Sequence, residues 1–177
     1  MSLADLLASL AVLGLVMGAT LTLLQQGLRM YAAGVARVES QQSARIALER
    51  MAREIRQAGY GASGASFPAI SVAERSRIVI HLDLDGDGAS AGRRETITWL
   101  LASGVLRRNA GGGAQPIVNG VRDLELTYLD ARGHPTMTPD EIRAVAIVLT
   151  TEPDRPAADP ARRVATTIAT QVRLRNR

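Results

Sequence analysis

The sequence predicts an α+β chain in which one long N-terminal helix precedes a mostly antiparallel β-sheet. Three observations carry this reading. Met1 to Leu24 is an apolar run broken only by Asp5, and helical periodicity then continues to about residue 58 with no proline before Pro68. Beyond that point the apolar residues recur at every second position, between turns rich in Gly, Pro and Asp.

The run 1–24 reaches the roughly 20 residues that a helical bilayer span needs. A secretory signal fits poorly, because the first basic side chain is Arg29 and the helical pattern passes Leu24 without a break. A retained transmembrane helix is expected. An acid near the start of such a span costs roughly 2.5–3.5 kcal/mol on insertion scales, so Asp5 calls for a partner. Gly14 and Gly18 form a GxxxG pair, a spacing at which two helices can approach closely.

Residues 25–58 read as the amphipathic half of the same helix. Leu28, Tyr31, Val35 and Val38 recur at helical spacing, and Leu48, Met51, Ala52 and Ile55 continue an apolar stripe opposite Arg45, Arg50 and Glu54. Glu49 precedes Arg53 by one turn, in the favourable acid-first order. A helix of that extent would be roughly 85 Å long. It should stop near Gly59, where Gly59, Gly61 and Gly64 mark a cap and a loop.

Residues 59–177 read as a globular antiparallel β-sheet domain. Its expected strands centre on Ile78 and Ile80, on Ile97 and Trp99, on Val105 and Leu106, on Leu124 to Tyr128, on Val145 to Leu149, and on Ile168 to Leu174. Gly111 to Gly113 and the proline-rich stretch from Glu152 to Pro160 read as loops. Only 3% of the chain is aromatic, so Trp99 is the one large ring available to an aliphatic core.

Composition narrows the chemistry. There is no cysteine, which removes disulfides and thiol nucleophiles. The net charge of +4 comes from arginine and would favour anionic partners, although a GC-rich coding sequence also yields arginine. No run of arginines interleaved with aromatics supports nucleic acid as a partner. His81 falls in a strand and His134 beside Pro135 in a turn, with no triad, nucleotide loop or zinc spacing around them, so an enzyme is not expected.

Asp83-Leu84-Asp85-Gly86-Asp87-Gly88 matches the opening of an EF-hand-type loop, with Asp83, Asp85 and Asp87 as oxygen ligands for calcium. The twelfth loop position is Arg94, with Glu95 one place late. The competing reading is a solvated hairpin turn between strands ending near Leu84 and starting near Glu95. No other cofactor is expected.

The opening Met1-Ser2-Leu3-Ala4-Asp5-Leu6-Leu7 resembles the processed start of type IV pilin-like proteins, which typically begin Phe-Thr-Leu-Ile-Glu-Leu-Leu. The stretch Gln41 to Tyr60, with Met51-Ala52-Arg53-Glu54-Ile55-Arg56-Gln57-Ala58-Gly59-Tyr60, resembles PilW-type minor pilins and pseudopilin J of type II secretion. Val172 to Asn176 is similar to the final strand of such proteins. The resemblance is strongest over residues 1–60. Asp5 stands for the family's glutamate, Met1 for its N-methylated first residue, and Thr22 where many type IVa pilins carry a proline.

The resemblance implies a pilin-like fold, with the long hydrophobic helix packed on the sheet domain. It implies a chain starting at its processed end and anchored in a bacterial inner membrane, with the C-terminal domain outside the cytoplasm. Such a chain enters a periplasmic or extracellular filament. The implied partners are other pilin or pseudopilin subunits, a prepilin peptidase and an inner-membrane assembly platform. The acid Asp5 would meet the N-terminal amine at Met1 of a neighbouring subunit, and two opposite charges in lipid gain by neutralising each other. A minor or tip subunit is expected; the alternatives are the repeating major subunit, a tip module that binds DNA or a surface, and a membrane-tethered enzyme.

Overall fold

The computed structural model describes residues 2–61, 67–152 and 165–176. Met1, Gly64, Pro153, Pro156 and Pro160, which the sequence reading placed at the assembly end or in loops, lie outside the described residues. The chain divides into two compact units, Met1–Val38 and Glu39–Arg177.

Helix α1 (Leu3–Gln57) runs through both units. Within the first unit it is helix alone. Leu3, Leu15 and Leu23 are 81%, 75% and 68% exposed, and Leu28, Tyr31 and Val38 are exposed as well. Apolar periodicity over 28–38 therefore marks a surface left exposed among the described residues.

In the second unit the helix buries a face made of Ala44, Ala47, Leu48, Met51 and Ile55. Small residues sit at its start and large ones follow, in a single core with the sheet residues. Fully burying side chains such as Met51 and Ile55 contributes roughly 1.5–3 kcal/mol each. Instead of Glu49 and Arg53, the helix pairs Arg50 with Glu54, at 3.3 Å. Beyond Gln57 the chain turns at Gly59, which has φ +76° and donates its N–H to the His81 carbonyl at 2.8 Å. A side chain there would also press on Ala69, so the glycine sets both the end of the helix and its approach to the sheet.

Two antiparallel sheets follow. The first is a five-stranded meander in the order β1 (Ile70–Glu74), β2 (Arg77–His81), β3 (Thr96–Ala102), β4 (Val105–Asn109) and β5 (Gln115–Val118). The second has three strands, β6 (Val121–Leu129), β7 (Ala144–Thr151) and β8 (Thr166–Arg173). Burial in β6 and β7 alternates as the sequence pattern requires, with Leu124, Leu126, Tyr128, Val145, Ile147 and Leu149 inward.

The seam between the sheets includes backbone hydrogen bonds, one phenol and the Arg75–Asp123 ion pair at 3.1 Å. Leu126 N–H reaches the Arg75 carbonyl at 2.7 Å, and Val121 N–H the Gly104 carbonyl at 2.9 Å. Tyr128 donates its hydroxyl to the Glu74 carbonyl at 2.8 Å, with the Arg77 carbonyl at 3.2 Å. Strands β1 and β5 carry no clear sequence signal. β5 has four residues and contains Pro116, which a sheet tolerates only where no ladder partner needs its N–H, as on this edge.

Candidate functional site

The first candidate is the start of the helix. Ser2 donates its backbone N–H to Asp5 Oδ2 at 3.0 Å, and Asp5 returns its own N–H to Ser2 Oγ at 3.2 Å. This reciprocal pair is a capping box: it satisfies donors that the first turn leaves without helical partners, and it places a carboxylate at the positive end of the helix dipole. Asp5 thus has a local partner within its own chain. Only one of its oxygens is engaged this way, and the other can accept from a second donor.

Further along, the polar side chains of this apolar helix bond to its own carbonyls. Ser9 donates to Leu6, Thr20 to Met17 and Thr22 to Gly18, at 2.9, 2.9 and 2.8 Å. No hydroxyl among these three would enter hydrocarbon unsatisfied. At Thr22 the helix continues unbroken. It is long and apolar enough to cross a membrane, with an 18-residue window of mean hydropathy 2.2. A methyl group added at Gly14 or Gly18 would meet nothing within 4 Å, so both glycines sit on open surface in the isolated chain.

The second candidate is the loop 82–95 between β2 and β3. Carboxylate oxygens of Asp83, Asp85 and Asp87 lie within 4.8 Å of one another. Asp83 is 3% exposed, and its two oxygens accept the N–H groups of Gly86 and Gly88 at 2.6 and 3.0 Å. Asp85 accepts from Asp87, and Asp87 from Ala89. Glu95, 1% exposed, does not join them. Its Oε1 accepts from Leu84 and Asp85 and its Oε2 from Gly92, so it ties the two ends of the loop together. Hard oxygens at this spacing can hold a divalent cation, and each oxygen keeps a lone pair for it. Gly61 closes the site from the helix end, where a side chain would collide with the Asp83 backbone 2.6 Å away.

Sequence reasoning did not find the third feature. Glu54 on the helix accepts the indole N–H of Trp99 at 2.8 Å and the Nε of Arg108 at 2.9 and 3.0 Å, beside its pair with Arg50. Three donors from the helix, β3 and β4 converge on one carboxylate. Position 54 belonged to the polar face of the stripe, and only the strand register brings Trp99 opposite Arg108.

The histidines stay apart. His81 lies between Thr96 Oγ1 at 3.0 Å and Ser71 Oγ at 2.7 Å, and burial lowers its pKa. His134 sits in the turn after β6 with Asp130 Oδ2 at 3.8 Å. Asp130 is held below the usual carboxylate range chiefly by the His134 backbone N–H, with the Arg132 N–H adding to it.

No family model matches the sequence, and no curated protein matches it. Among solved structures the chain is similar to a type IV-like pilin from Thermus thermophilus, with a TM-score of 0.53 at 15% identity. The match covers 77% of this chain and 97% of that one. At that identity the likeness establishes the fold: one long apolar N-terminal helix on antiparallel sheets, arranged as in a type IV-like pilin.

Proposed function

We propose that this chain is a structural subunit of a type IV pilus-like or pseudopilus filament, anchored in the membrane by α1 before assembly and held in the filament by the same helix afterwards. One observation carries the reading. The first unit is a helix whose leucines and valines are exposed along its length, on a chain with a pilin-like fold. Apolar surface on that scale requires lipid or other helices around it, and a filament core supplies the second. Asp5 is the residue proposed to select the axial register of an incoming subunit through its amine, Met1 the residue that presents the amine, and Gly14 and Gly18 the positions of closest helix approach.

The partners that follow are other pilin or pseudopilin subunits, a prepilin peptidase and an inner-membrane platform. A minor or tip position is preferred over the repeating one, on the resemblance of residues 41–60 to PilW-type minor pilins and pseudopilin J. The role is associative rather than catalytic. What supports a divalent cation, calcium, at Asp83, Asp85 and Asp87 is the convergence of their oxygens. It would brace the loop between β2 and β3.

The test is the amount and position of the protein in filaments sheared from cells, by quantitative mass spectrometry and immunogold labelling. Label confined to one end at trace amount is the expected result. Label along the whole shaft would assign it the repeating role, and absence from sheared filaments would overturn the assignment to a filament.

A further inference from the structure

The second unit carries a cleft of about 770 Å³ walled by four arginines, Arg50, Arg93, Arg94 and Arg108, and floored in part by Gly112 and Gly113. These come from the helix, from the loop before β3, from β4 and from the β4–β5 turn, so the strand order assembles the cleft from distant segments. None of the described residues that line the cleft is acidic. Glu54 engages Arg50 and Arg108 through their Nε atoms, which leaves the terminal guanidinium nitrogens of both as donors. Arg93 and Arg94 have no acidic partner among the described residues, and Arg94 is held at φ 73°, an uncommon conformation for a side chain of its size. The nearby turn has Gly111 and Gly113 at positive φ, and Gly112 and Gly113 leave room for close approach of a ligand to backbone.

The geometry points to a binding site for a ligand that carries several phosphate groups. Four guanidinium groups line the cleft and Glu54 is the one carboxylate ion-paired to any of them among the described residues, an excess of about three positive charges, which a single carboxylate or sulfate ligand would not neutralise, whereas two or three linked phosphates would. Planar guanidinium forks match phosphate oxygens in pairs. Glu54 acts as a positioning residue, because it fixes the Nε side of two arginines and thereby orients their free edges. Among the described residues no aromatic ring lines the cleft, so recognition is of the phosphate chain and not of a stacked base. Two sources share that chemistry, a free oligophosphate and the backbone of a nucleic acid single strand. The site does not depend on the chain entering a filament.

The experiment is calorimetric titration of the full chain, in non-ionic detergent, with sodium tripolyphosphate and separately with a short single-stranded oligodeoxynucleotide. Saturable binding of at least one is expected, weakening as salt rises from about 50 to about 200 mM. The double substitution Arg93→Gln/Arg94→Gln, on an exposed loop, should weaken it about tenfold or more, while Arg132→Gln in the β6–β7 turn should leave it unchanged. Glu54→Gln gives a second readout: binding should weaken even though net positive charge rises, because Arg50 and Arg108 lose their alignment. Tight tripolyphosphate with weak oligonucleotide binding would identify a free oligophosphate; the reverse order would identify a nucleic acid strand. No saturable binding of either, or equal weakening by Arg132→Gln, would overturn the site.

Discussion

Ser2 and Asp5 exchange hydrogen bonds, N–H to Oδ2 at 3.0 Å and N–H to Oγ at 3.2 Å, so the acid at the start of the apolar helix already has a partner in its own chain. Removing a capping interaction costs about 1 kcal/mol. An acid retained only for capping would therefore matter little to assembly, and an acid that meets a neighbour's amine would matter a great deal.

Three substitutions separate these roles. Ser2→Ala removes half of the capping box and keeps the charge. Asp5→Asn keeps an oxygen for the Ser2 N–H and removes the charge, and Asp5→Ala removes both. The expected order of incorporation into sheared filaments, relative to the membrane pool, is wild type close to Ser2→Ala, with both Asp5 variants strongly reduced. Wild-type incorporation of Asp5→Asn would reduce Asp5 to a helix cap.

Glu54 is the carboxylate on which the helix and the first sheet converge. Its side chain is 15% exposed, Arg108 is 16% exposed and Trp99 is fully buried. Glu54→Ala leaves the Trp99 indole N–H and the Arg108 guanidinium without their acceptor, and should destabilise the chain by about 3 kcal/mol. Trp99→Phe removes one hydrogen bond and some volume and should cost about 2 kcal/mol. The double variant should cost less than the sum, because both changes break the same bond. Denaturant titration of the four proteins measures this directly.

Tyr128 is set by burial first, and then by the charge of Glu74, well above the usual phenol range. Its hydroxyl holds the seam between the sheets through the Glu74 carbonyl. Because the folded-state value lies above the unfolded one of 10.0, the stabilisation is complete below about pH 10 and is lost as pH rises from there. Tyr128→Phe should cost about 1 kcal/mol at neutral pH. It should also abolish the last phase of tyrosine ionisation in an alkaline absorbance titration, a phase that in the wild type accompanies unfolding.

His81 works in the opposite direction. Burial lowers its pKa below the ordinary 6.5, so the unfolded chain takes up the proton first on acidification. Its contribution is fully present above about pH 6.5 and fades as pH falls through the folded-state value. A fall in melting temperature between neutral pH and pH 5, flattened in His81→Gln, is the expected result. Identical pH profiles for the two proteins would remove His81 from the account.

What the sequence made legible follows from how local each signal is. The helix was readable because the apolar run of residues 1–24 passes, without proline, into helical spacing over residues 25–58, and strands such as β6 and β7 because alternation over eight or nine residues survives single exceptions. β1 and β5 were not: β1 offers only Ile70 and Val72 as large apolar residues, and β5 is four residues long with Pro116 among them. Val79 is buried along with Ile78 and Ile80, so β2 departs from simple alternation. The acidic loop was visible because its spacing is contiguous. The convergence of Trp99, Arg108 and Arg50 on Glu54 was invisible, as was the arginine cleft, because both depend on strand register between segments about 40 to 60 residues apart.

The acidic loop gives the last prediction. Glu95 is spent on the Leu84, Asp85 and Gly92 N–H groups and stands away from the three aspartates, so a cation there gains three carboxylates and no bidentate glutamate. That donor set belongs with the weak, extracellular class of calcium sites, with dissociation constants of about 10⁻⁴ to 10⁻³ M. At 10 mM calcium a site of about 1 mM stabilises by roughly 1.4 kcal/mol, which a thermal melt of chelator-treated protein resolves. Asp85→Asn/Asp87→Asn, both on the exposed side of the loop, should remove the calcium response with little effect on the calcium-free melt. Asp83→Asn should lower the calcium-free melt too, because Asp83 also holds the Gly86 and Gly88 N–H groups of the turn. A melting temperature indifferent to calcium in the wild type would leave the loop as a hairpin connection closed by its own hydrogen bonds. In that case the three aspartates serve the turn alone, each accepting a backbone N–H further along the loop.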